Sequence, residues 1–501
     1  MSDLAIVYSR ATQGLHAPLV TVEVHISNGL PSLTIVGLPE MAVKESKERV
    51  RSALLNCQFE FPMRRITINL APADLPKESG RFDLPIALGI LAATKQIPLA
   101  ILEEYEFAGE LALSGKLRCI SGSLPLALAT KSALRKLVLP KANALEASLI
   151  KGLEIYPASD LLQVCQHLTG KMAIPVFSPP SLSAKQDFAV DMIDIKGQHL
   201  AKRALEIAAA GRHNLLMTGP PGTGKTMLAN RLPSILPALT EQEAIEVASL
   251  ASIRKLPNIA EHFYCAPFRH PHHSASSAAL VGGGSIPKPG EISLAHNGVL
   301  FLDELPEFDH RVLEALREPL ENGHITLSRA QSQAEFPAKF QLIATMNPCP
   351  CGYLGSSQTS CQCLPTHIQR YKNKLSGPLL DRIDMHIEVS ELPSGTLSQT
   401  TNLEESSATV RDRVQMAQKI QLARQGMLNS ALKGNLIEQY CPLIPTDRAF
   451  LDQAMTKLQL SARSYHRILK LARSIADLAS SAKIAHNHLT EALSYRKLER
   501  T

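Results

Sequence analysis

The stretch Gly219–Thr226 (Gly-Pro-Pro-Gly-Thr-Gly-Lys-Thr) constrains the fold more than any other part of the sequence. It follows a short apolar run, Asn214–Thr218, that predicts a buried strand, and it precedes Met227–Leu232, which predicts a helix. Strand, glycine-rich loop and helix in this order form the phosphate-binding loop of an α/β nucleotide fold. A chance match with both flanking elements is improbable, so the sequence predicts a P-loop.

The residue types in this loop suit the phosphates of ATP. Lys225 is expected to reach the β- and γ-phosphates, and the Thr226 hydroxyl to bind Mg²⁺. The glycines let backbone N–H groups turn towards the phosphates, and the helix N-terminus adds partial positive charge. The residues predicted to bind the nucleotide are Gly219, Pro220, Pro221, Gly222, Thr223, Gly224, Lys225, Thr226 and Met227.

Two further apolar runs end in polar residues that suit nucleotide hydrolysis. Val299–Leu302 predicts a buried strand that ends at Asp303 and Glu304, and Phe340–Thr345 predicts another that ends near Asn347. Ligands bind at the carboxyl ends of strands in open α/β sheets, so we expect Asp303 to hold Mg²⁺ and Glu304 to polarise water. Asn347 can orient that water, since its amide donates and accepts. Taken alone, these residues also suit an acidic turn and an Asn-Pro turn.

The rest of the chain divides into blocks of different character. The first block alternates predicted strands and helices, namely Leu19–Ile26, Arg65–Leu70 and Lys136–Leu139 as strands and Ala42–Asn56 and Leu84–Thr94 as helices. A Pro/Ser-rich segment follows and predicts a linker. After it come the α/β pattern around the P-loop and, last, predicted helices such as Ser464–Ala479. The predicted divisions are an N-terminal domain at 1–170, a linker at 171–190, a P-loop core at 191–392 and a helical lid at 393–501.

These motifs, together with Asp194–Gln198, resemble the YifB/ComM family of magnesium-chelatase-like AAA+ ATPases. The resemblance runs essentially end to end. It implies an α/β protein with a Lon-protease-like N-terminal domain, an AAA+ core with a parallel sheet and a helix-2 insert, and a C-terminal helical lid. It also implies a homo-hexameric DNA helicase that uses ATP to drive branch migration of recombination intermediates during natural transformation. The implied partners are single-stranded and branched DNA and recombination proteins.

Two arginine roles are implied by this resemblance. The segment Leu379–Asp384 is similar to the one that carries the arginine finger, which makes Arg382 the residue expected to reach a neighbouring subunit's γ-phosphate. A local pair of Arg382 with Asp381 or Asp384 is the alternative. In the lid, Arg463 is expected to be the second sensor, although Arg467 and Arg473 lie close by and a solvated basic helix face fits the same residues.

Pro76–Ala87 resembles the active-site segment of Lon proteases. That pattern places a serine nucleophile near Asp83, where this chain has an acidic residue, and Ser79 lies out of register. A Ser–Lys dyad needs both groups within hydrogen-bond reach, so we expect this domain to have no peptidase activity.

Candidate DNA contacts lie between the nucleotide motifs. The segment Phe268–Ser274 contains Arg269 and three histidines, and a glycine-rich segment that follows contains Lys288. The family places a pore-facing insertion here, and DNA-tracking loops need basic side chains for phosphates. Arg329, in a hairpin-like segment, is the third candidate. The histidines suit a metal site or an ordinary loop.

Four of the nine cysteines are grouped in two pairs within a short segment: Cys349, Cys351, Cys361 and Cys363. Four thiolates suit a tetrahedral, structural Zn²⁺, and the Gly/Ser-rich loop between the pairs is flexible enough to bring them together. A spacing of one residue within each pair is less usual than two to four. Reduced thiols without metal are therefore the alternative.

Composition adds limits rather than a function. The formal net charge of +6 over 501 residues permits a polyanionic partner without indicating one. The sequence has no apolar run long enough to span a bilayer, and its N-terminus does not resemble a secretion signal. It therefore predicts a cytoplasmic protein without a membrane partner.

Two other functions stay open, both of them AAA+ motors that remodel a protein partner: a chelatase-type motor and a protease-associated unfoldase.

Overall fold

A computed structural model describes residues 4–39, 41–77, 79–180, 188–284, 287–328, 333–392, 404–458 and 460–496. They form two compact units. Unit 1 contains the described residues within Met1–Ser183, Glu241–Phe263 and Ser332–Glu335, and unit 2 those within Ala184–Thr240, Tyr264–Gln331 and Phe336–Thr501. The predicted domain boundaries stay predictions, since the linker and the start of the lid fall partly outside the described residues.

Unit 1 is a mixed α/β unit built on one seven-stranded sheet of order β3-β4-β2-β1-β5-β8-β9. Its strands, with the separate β6–β7 pair, are β1 (Leu4–Arg10), β2 (Leu19–Ser27), β3 (Ser32–Val36), β4 (Arg65–Ala71), β5 (Tyr105–Phe107), β6 (Glu110–Leu111), β7 (Leu117–Arg118), β8 (Lys136–Pro140) and β9 (Ile155–Ala158). The three strands predicted in this block are confirmed as β2, β4 and β8. Alternate residues of β2 are buried, because only one face of that strand meets the core.

The helices from the first block of unit 1 are α1 (Met41–Lys44), α2 (Ser46–Asn56), α3 (Asp83–Ala93), α4 (Ser123–Ser132), α5 (Ala144–Ala147) and α6 (Leu161–Leu168). The single helix predicted at Ala42–Asn56 is two helices, interrupted at Glu45. All residues of α3 are buried, so this helix is surrounded by the core and lacks a polar face.

Unit 2 contains a five-stranded parallel sheet of order β11-β14-β17-β10-β18. The strands of this part of the chain are β10 (Leu215–Thr218), β11 (Phe268–Arg269), β12 (Gly282–Gly283), β13 (Lys288–Pro289), β14 (Val299–Leu302), β15 (His324–Ser328), β16 (Gln333–Pro337), β17 (Gln341–Met346) and β18 (Met385–Glu388). Both faces of β14 and β17 are buried, as expected for parallel strands covered by helices. The predicted parallel α/β core is confirmed.

The remaining helices begin with α7 (His199–Gly211), α8 (Lys225–Ile235), α9 (Glu241–Ile253), α10 (Ser277–Val281), α11 (Glu291–Leu294), α12 (His310–Ala315), α13 (Arg317–Asn322), α14 (Pro365–Lys372) and α15 (Gly377–Leu380). The C-terminal region is helical, as predicted, with α16 (Ser407–Gln425), α17 (Asn435–Tyr440), α18 (Pro445–Lys457), α19 (Ala462–Leu478) and α20 (His486–Ser494). Within the described ranges, no helix is both long and apolar enough to cross a membrane.

Helix α9 departs from the simple domain order. It lies between α8 and β11 in the chain but belongs to unit 1, where it packs against α4. The backbone N–H of Gly122 donates to the Ser252 carbonyl at 3.1 Å, and the N–H of Leu124 to the Ser252 hydroxyl at 3.3 Å. These bonds satisfy N–H groups at the first turn of α4 that the helix itself leaves without partners.

A buried polar network joins the sheet of unit 2 to the C-terminal helices. Asp384, just before β18, accepts from the backbone N–H of Asn214 at 3.0 Å and pairs with Arg467 of α19 at 3.1 Å. His213 lies against the same carboxylate and bonds the Ser474 hydroxyl at 2.7 Å. Burial opposes ionisation, but Arg467 and His213 outweigh it and hold the pKa of Asp384 well below its usual range.

We expect Asp384→Asn to lower the free energy of unfolding by about 3 kcal/mol, because it leaves the partly buried Arg467 without its counter-charge. The depressed pKa means that the stabilisation is complete above the unfolded carboxyl's pKa of about 3.9 and is lost only below it. Asp381→Asn, in the same turn and with no ion pair described, is the matched control. Thermal unfolding at pH 7 measures both, and equal midpoints for the two variants would contradict the assignment.

Candidate nucleotide site

Three adjacent strands bring the predicted nucleotide motifs to one edge of the sheet. β17 pairs in parallel with β10 on one side and with β14 on the other, with Thr218 opposite Met346 and Leu302 opposite Ala344. The loop after β10, the acidic pair after β14 and Asn347 after β17 therefore emerge side by side. The order of the strands, and not the order of the motifs along the chain, creates this grouping.

The P-loop has the backbone that its glycines predict. Gly222 and Gly224 have φ values of +79° and +87°, in the left-handed region that side chains disfavour. Gly219 is needed for a different reason, since a Cβ there would lie 2.2 Å from the Val389 carbonyl oxygen. The Thr223 hydroxyl closes the loop by donating to the Pro220 carbonyl at 3.0 Å.

Lys225 begins α8 and points back into the loop. Its Nζ donates to the Gly219 carbonyl at 2.6 Å, to the Pro220 carbonyl at 2.8 Å and to Asn347 Oδ1 at 3.3 Å. Burial lowers the pKa of this ammonium, while Asp303 and Glu304 act in the opposite direction. A buried ammonium held by two carbonyl oxygens and an amide fits a phosphate, whose oxygens would replace weaker neutral acceptors.

Thr226 and Asp303 meet as a pair that fits Mg²⁺. The Thr226 hydroxyl donates to Asp303 Oδ2 at 2.8 Å, and the Thr345 hydroxyl donates to Oδ1 of the same carboxylate. A hydroxyl and a carboxylate beside the P-loop are oxygen ligands that a hard cation prefers. Thr345 was not predicted from the sequence, although its place two residues before Asn347 is a usable signal.

Glu304 combines an exposed carboxylate with an unusual backbone. Its φ is +53°, and its N–H donates to Asp303 Oδ1 and to the Thr345 hydroxyl, both at 3.2 Å. A non-glycine residue in the left-handed region costs about 1 kcal/mol or more, and such residues cluster at functional sites. Asp303 accepts from Thr226 while the Glu304 carboxylate lies near His273, so the two acids can serve different tasks.

The histidine-containing loop packs beside Glu304. His273 Nδ1 lies 3.7 Å from Glu304 Oε2, and the His272 and His273 rings are 4.1 Å apart. The His270 ring lies 4.5 Å from that of Phe301, in β14. His273 thus lies beside the acidic pair, a placement that was not predicted from the sequence.

The predicted arginines lie in different environments. Arg382 forms an ion pair with Glu321 and donates to the Pro378 carbonyl at 2.8 Å, and so does not make the local pair with Asp381 or Asp384. Arg382 first, and Arg463 more weakly, lower the pKa of Glu321. Arg463 is exposed, and it and Arg382 lie near the same Glu321 carboxylate.

The two alternative sensor arginines have structural partners. Arg467 pairs with Asp384 as described above, and Arg473 is buried against Asp477 at 2.9 Å. Arg473 also donates to the carbonyl of Ala482 at 3.0 Å. Of the three candidate sensor arginines, Arg463 is thus the exposed one, and its role as second sensor stays a prediction.

The three candidate DNA residues are not equivalent. Arg269 forms a two-pronged ion pair with Glu291, at 2.6 and 2.9 Å, so its guanidinium is engaged within the chain. Lys288 is exposed in β13, the second strand of the short β12–β13 hairpin. Arg329 lies outside the described residues. DNA contact stays a prediction for all three.

The four clustered cysteines come together. The four thiol sulfurs all lie within 4.8 Å of one another, in Cys349, Cys351, Cys361 and Cys363. The Cys349 sulfur is 3.4 Å from that of Cys351 and 3.6 Å from that of Cys361. Four sulfurs about 2.3 Å from a tetrahedral Zn²⁺ would be about 3.8 Å apart. The backbone N–H of Tyr353 lowers the pKa of Cys351 to about 6, whereas burial raises the pKa of Cys349. The cluster fits zinc.

The Lon-like segment holds its charged groups in other partnerships. Ser46 donates to the buried Asp83, which also pairs with Arg49 at 2.7 Å. Lys77 is buried and donates to the Pro72 carbonyl, while the Ser79 hydroxyl accepts from a neighbouring arginine. The described contacts thus join neither serine to a lysine, and the absence of peptidase activity stays a prediction.

Comparison with known proteins gives the chain's relatives. The family model "Magnesium chelatase, subunit ChlI" matches residues 191–397, "Subunit ChlI of Mg-chelatase" matches 22–143, and "Magnesium chelatase, subunit ChlI C-terminal" matches 404–496. Competence protein ComM of Haemophilus influenzae is 54% identical over 99% of this chain and 98% of its own length. YifB of Salmonella typhimurium is 51% identical, and YifB of Escherichia coli 50% identical, over the same shares. The chain therefore belongs to the YifB/ComM family of magnesium-chelatase-like AAA+ proteins.

Proposed function

We propose that this chain is an ATPase that assembles into a homo-hexamer and translocates on DNA, promoting branch migration of recombination intermediates during natural transformation. The observation that carries the ATPase part is the meeting of Lys225, Thr226, Asp303, Glu304 and Asn347 at one edge of a parallel sheet. Family membership supports the same activity. The finer parts of the proposal rest on the arguments that follow.

Each of these residues has a task in hydrolysis. Lys225 would exchange its carbonyl acceptors for phosphate oxygens, and Thr226 and Asp303 would hold Mg²⁺. Bound Mg²⁺ supplies positive charge that screens the triphosphate. Glu304 would accept a proton from the attacking water, which Asn347 orients through its amide. Lys225 already contacts Asn347 at 3.3 Å, so the charge and the orienting group are held together.

The positions of two arginines support an assembly of several subunits. Arg382 and Arg463 both lie near Glu321, and the contacts described for them include no P-loop residue. We infer that they act on the nucleotide of a neighbouring subunit. In that assembly Glu321 would hold Arg382 until a γ-phosphate competes for its guanidinium. Hydrolysis would then require a neighbouring subunit.

The DNA role is supported by relatedness and by one surface. The 54% identical relative is named as a competence protein, and we carry that role to this chain. Lys288 stands exposed on a glycine-rich hairpin, where it can reach a phosphate backbone. Arg269 is tied to Glu291, so we propose that it shapes the base of this region, and Arg329 remains a candidate contact.

A second function has its own support. The matching family models are named for a magnesium chelatase subunit, and one of them covers residues 22–143 of the N-terminal region. The alternative is therefore a chelatase-type or unfoldase-type motor that remodels a protein partner. Such a motor would hydrolyse ATP without responding to DNA.

We also propose that the four-cysteine cluster holds one structural Zn²⁺. Four thiolates fill a tetrahedral site, so the metal would have no open position for catalysis. A structural zinc site contributes directly to folding, because the metal binds the ordered loop and not the unfolded one.

Glu304→Gln is expected to reduce ATP turnover by about 100-fold or more, because a general base typically contributes that much. Nucleotide affinity should stay close to wild type, since no hydrogen bond described for Glu304 reaches the P-loop. Single-turnover hydrolysis and binding of a fluorescent ATP analogue measure the two effects. The control is Glu307→Gln, a surface carboxylate three residues later that pairs with Lys374 at 3.3 Å. Wild-type turnover in Glu304→Gln would refute the assignment.

ATP turnover is expected to rise several-fold with single-stranded or junction DNA and to vanish in Lys225→Ala under all conditions. Lys288→Ala should retain turnover without DNA and respond less to added DNA, because one phosphate contact is lost. Steady-state assays at two salt concentrations measure both effects. Turnover that no DNA changes would instead favour the protein-remodelling motor.

Protein purified without chelators is expected to contain about one zinc per chain, because four thiolates complete one site. The double variant Cys361→Ser, Cys363→Ser should lose most of it, whereas Cys119→Ser, which removes an exposed thiol elsewhere, should not. Elemental analysis gives the stoichiometry. Metal-free wild-type protein would rule out the zinc proposal.

A further inference from the structure

The four-cysteine loop begins directly after the nucleotide site. β17 ends at Met346, Asn347 follows, and one proline separates Asn347 from Cys349. Cys349 is fully buried, and the backbone N–H of Gly352 donates to its carbonyl at 3.0 Å. The first turn of the loop is therefore continuous with the residue that accepts a hydrogen bond from Lys225.

This turn also packs against the P-loop. Gly352 has a φ of +87°, and a Cβ built on it would lie 2.7 Å from Cγ and 2.8 Å from Cδ of Pro221. The same Cβ would lie 3.8 Å from Cγ of Asn347. Gly352 thus allows the cysteine turn to approach the phosphate loop more closely than any other residue type would permit.

The far side of the loop is fixed to a second segment near the P-loop. The hydroxyls of Ser356 and Ser357 each donate to Glu391 at 2.6 Å. Two residues before Glu391, the N–H of Val389 donates to the Thr218 carbonyl at 2.7 Å, and the Val389 carbonyl faces Gly219. The loop therefore connects the segment after β17 with the segment after β18, and these two strands flank β10, which leads into the P-loop.

We propose that metal binding by the four cysteines positions Pro221 and Asn347, so that nucleotide affinity depends on the metal. This inference rests on the proposed zinc site and the proposed ATP site. Without a metal the thiols offer each other only weak interactions, which do not offset the backbone entropy lost when the Gly/Ser-rich loop is ordered. Loss of the metal would release the turn that supports the phosphate loop.

Two glycines of the same loop provide a matched test. Gly352→Ala places a methyl group against Pro221 and leaves all four thiols in place. Gly355→Ala introduces similar backbone strain, since its φ is +80°, but its Cβ would meet no atom within 4 Å. Four proteins are compared: both variants, wild type, and wild type stripped with a strong zinc chelator under reducing conditions. Elemental analysis gives the zinc content of each, and titration with a fluorescent ATP analogue gives its Kd. Thermal unfolding checks that each protein is folded.

We expect Gly352→Ala to keep its zinc and to bind the analogue about tenfold more weakly, and Gly355→Ala to match wild type in both. The stripped wild type should also bind about tenfold more weakly and recover when zinc is restored. Unchanged affinity in the stripped protein would overturn the coupling while leaving the ATP site intact. If wild-type protein contains no zinc as purified, the metal's role is overturned. If wild-type protein does not bind the ATP analogue, the proposed ATP site itself is overturned.

Discussion

The pairing of β17 between β10 and β14 places three separate chain segments at one edge of a buried sheet. Parallel strands all present their carboxyl ends on the same side, so the loops that follow them are neighbours in space. Lys225, Asp303 and Asn347 then need only short loops to reach one another. The hydrogen bonds of the site are thus a consequence of strand order, and the left-handed backbone of Glu304 is a local cost that the rigid sheet sustains.

The buried Asp384 network extends this framework to the C-terminal helices. Asp384 receives a hydrogen bond from the backbone just before β10 and an ion pair from α19, so the start of the P-loop strand and the lid share one carboxylate. Arg382 lies two residues earlier in the same turn. Its position therefore depends on the sheet and on α19, which gives the proposed action of Arg382 on a neighbouring subunit a physical link to the nucleotide site.

The sequence predicted the elements closest to the motifs well and long-range contacts poorly. β14 has the predicted bounds Val299–Leu302, because a short apolar run between polar turns leaves little choice. The grouping of the four cysteines was predicted correctly, because all four lie within one short segment of the sequence. The Arg269–Glu291 pair and the fit of Gly352 against Pro221 leave no periodic pattern, so only the folded chain reveals them.

The placement of α9 in unit 1 changes what a truncation of this protein would mean. The chain leaves unit 2 after Thr240, contributes α9 to unit 1, and returns at Tyr264. A fragment that begins after Ser183 would keep α9 but lose α4, the helix that it packs against. The two units are thus interleaved along the chain, so a cut after Ser183 does not separate them. A deletion phenotype would report on both units at once.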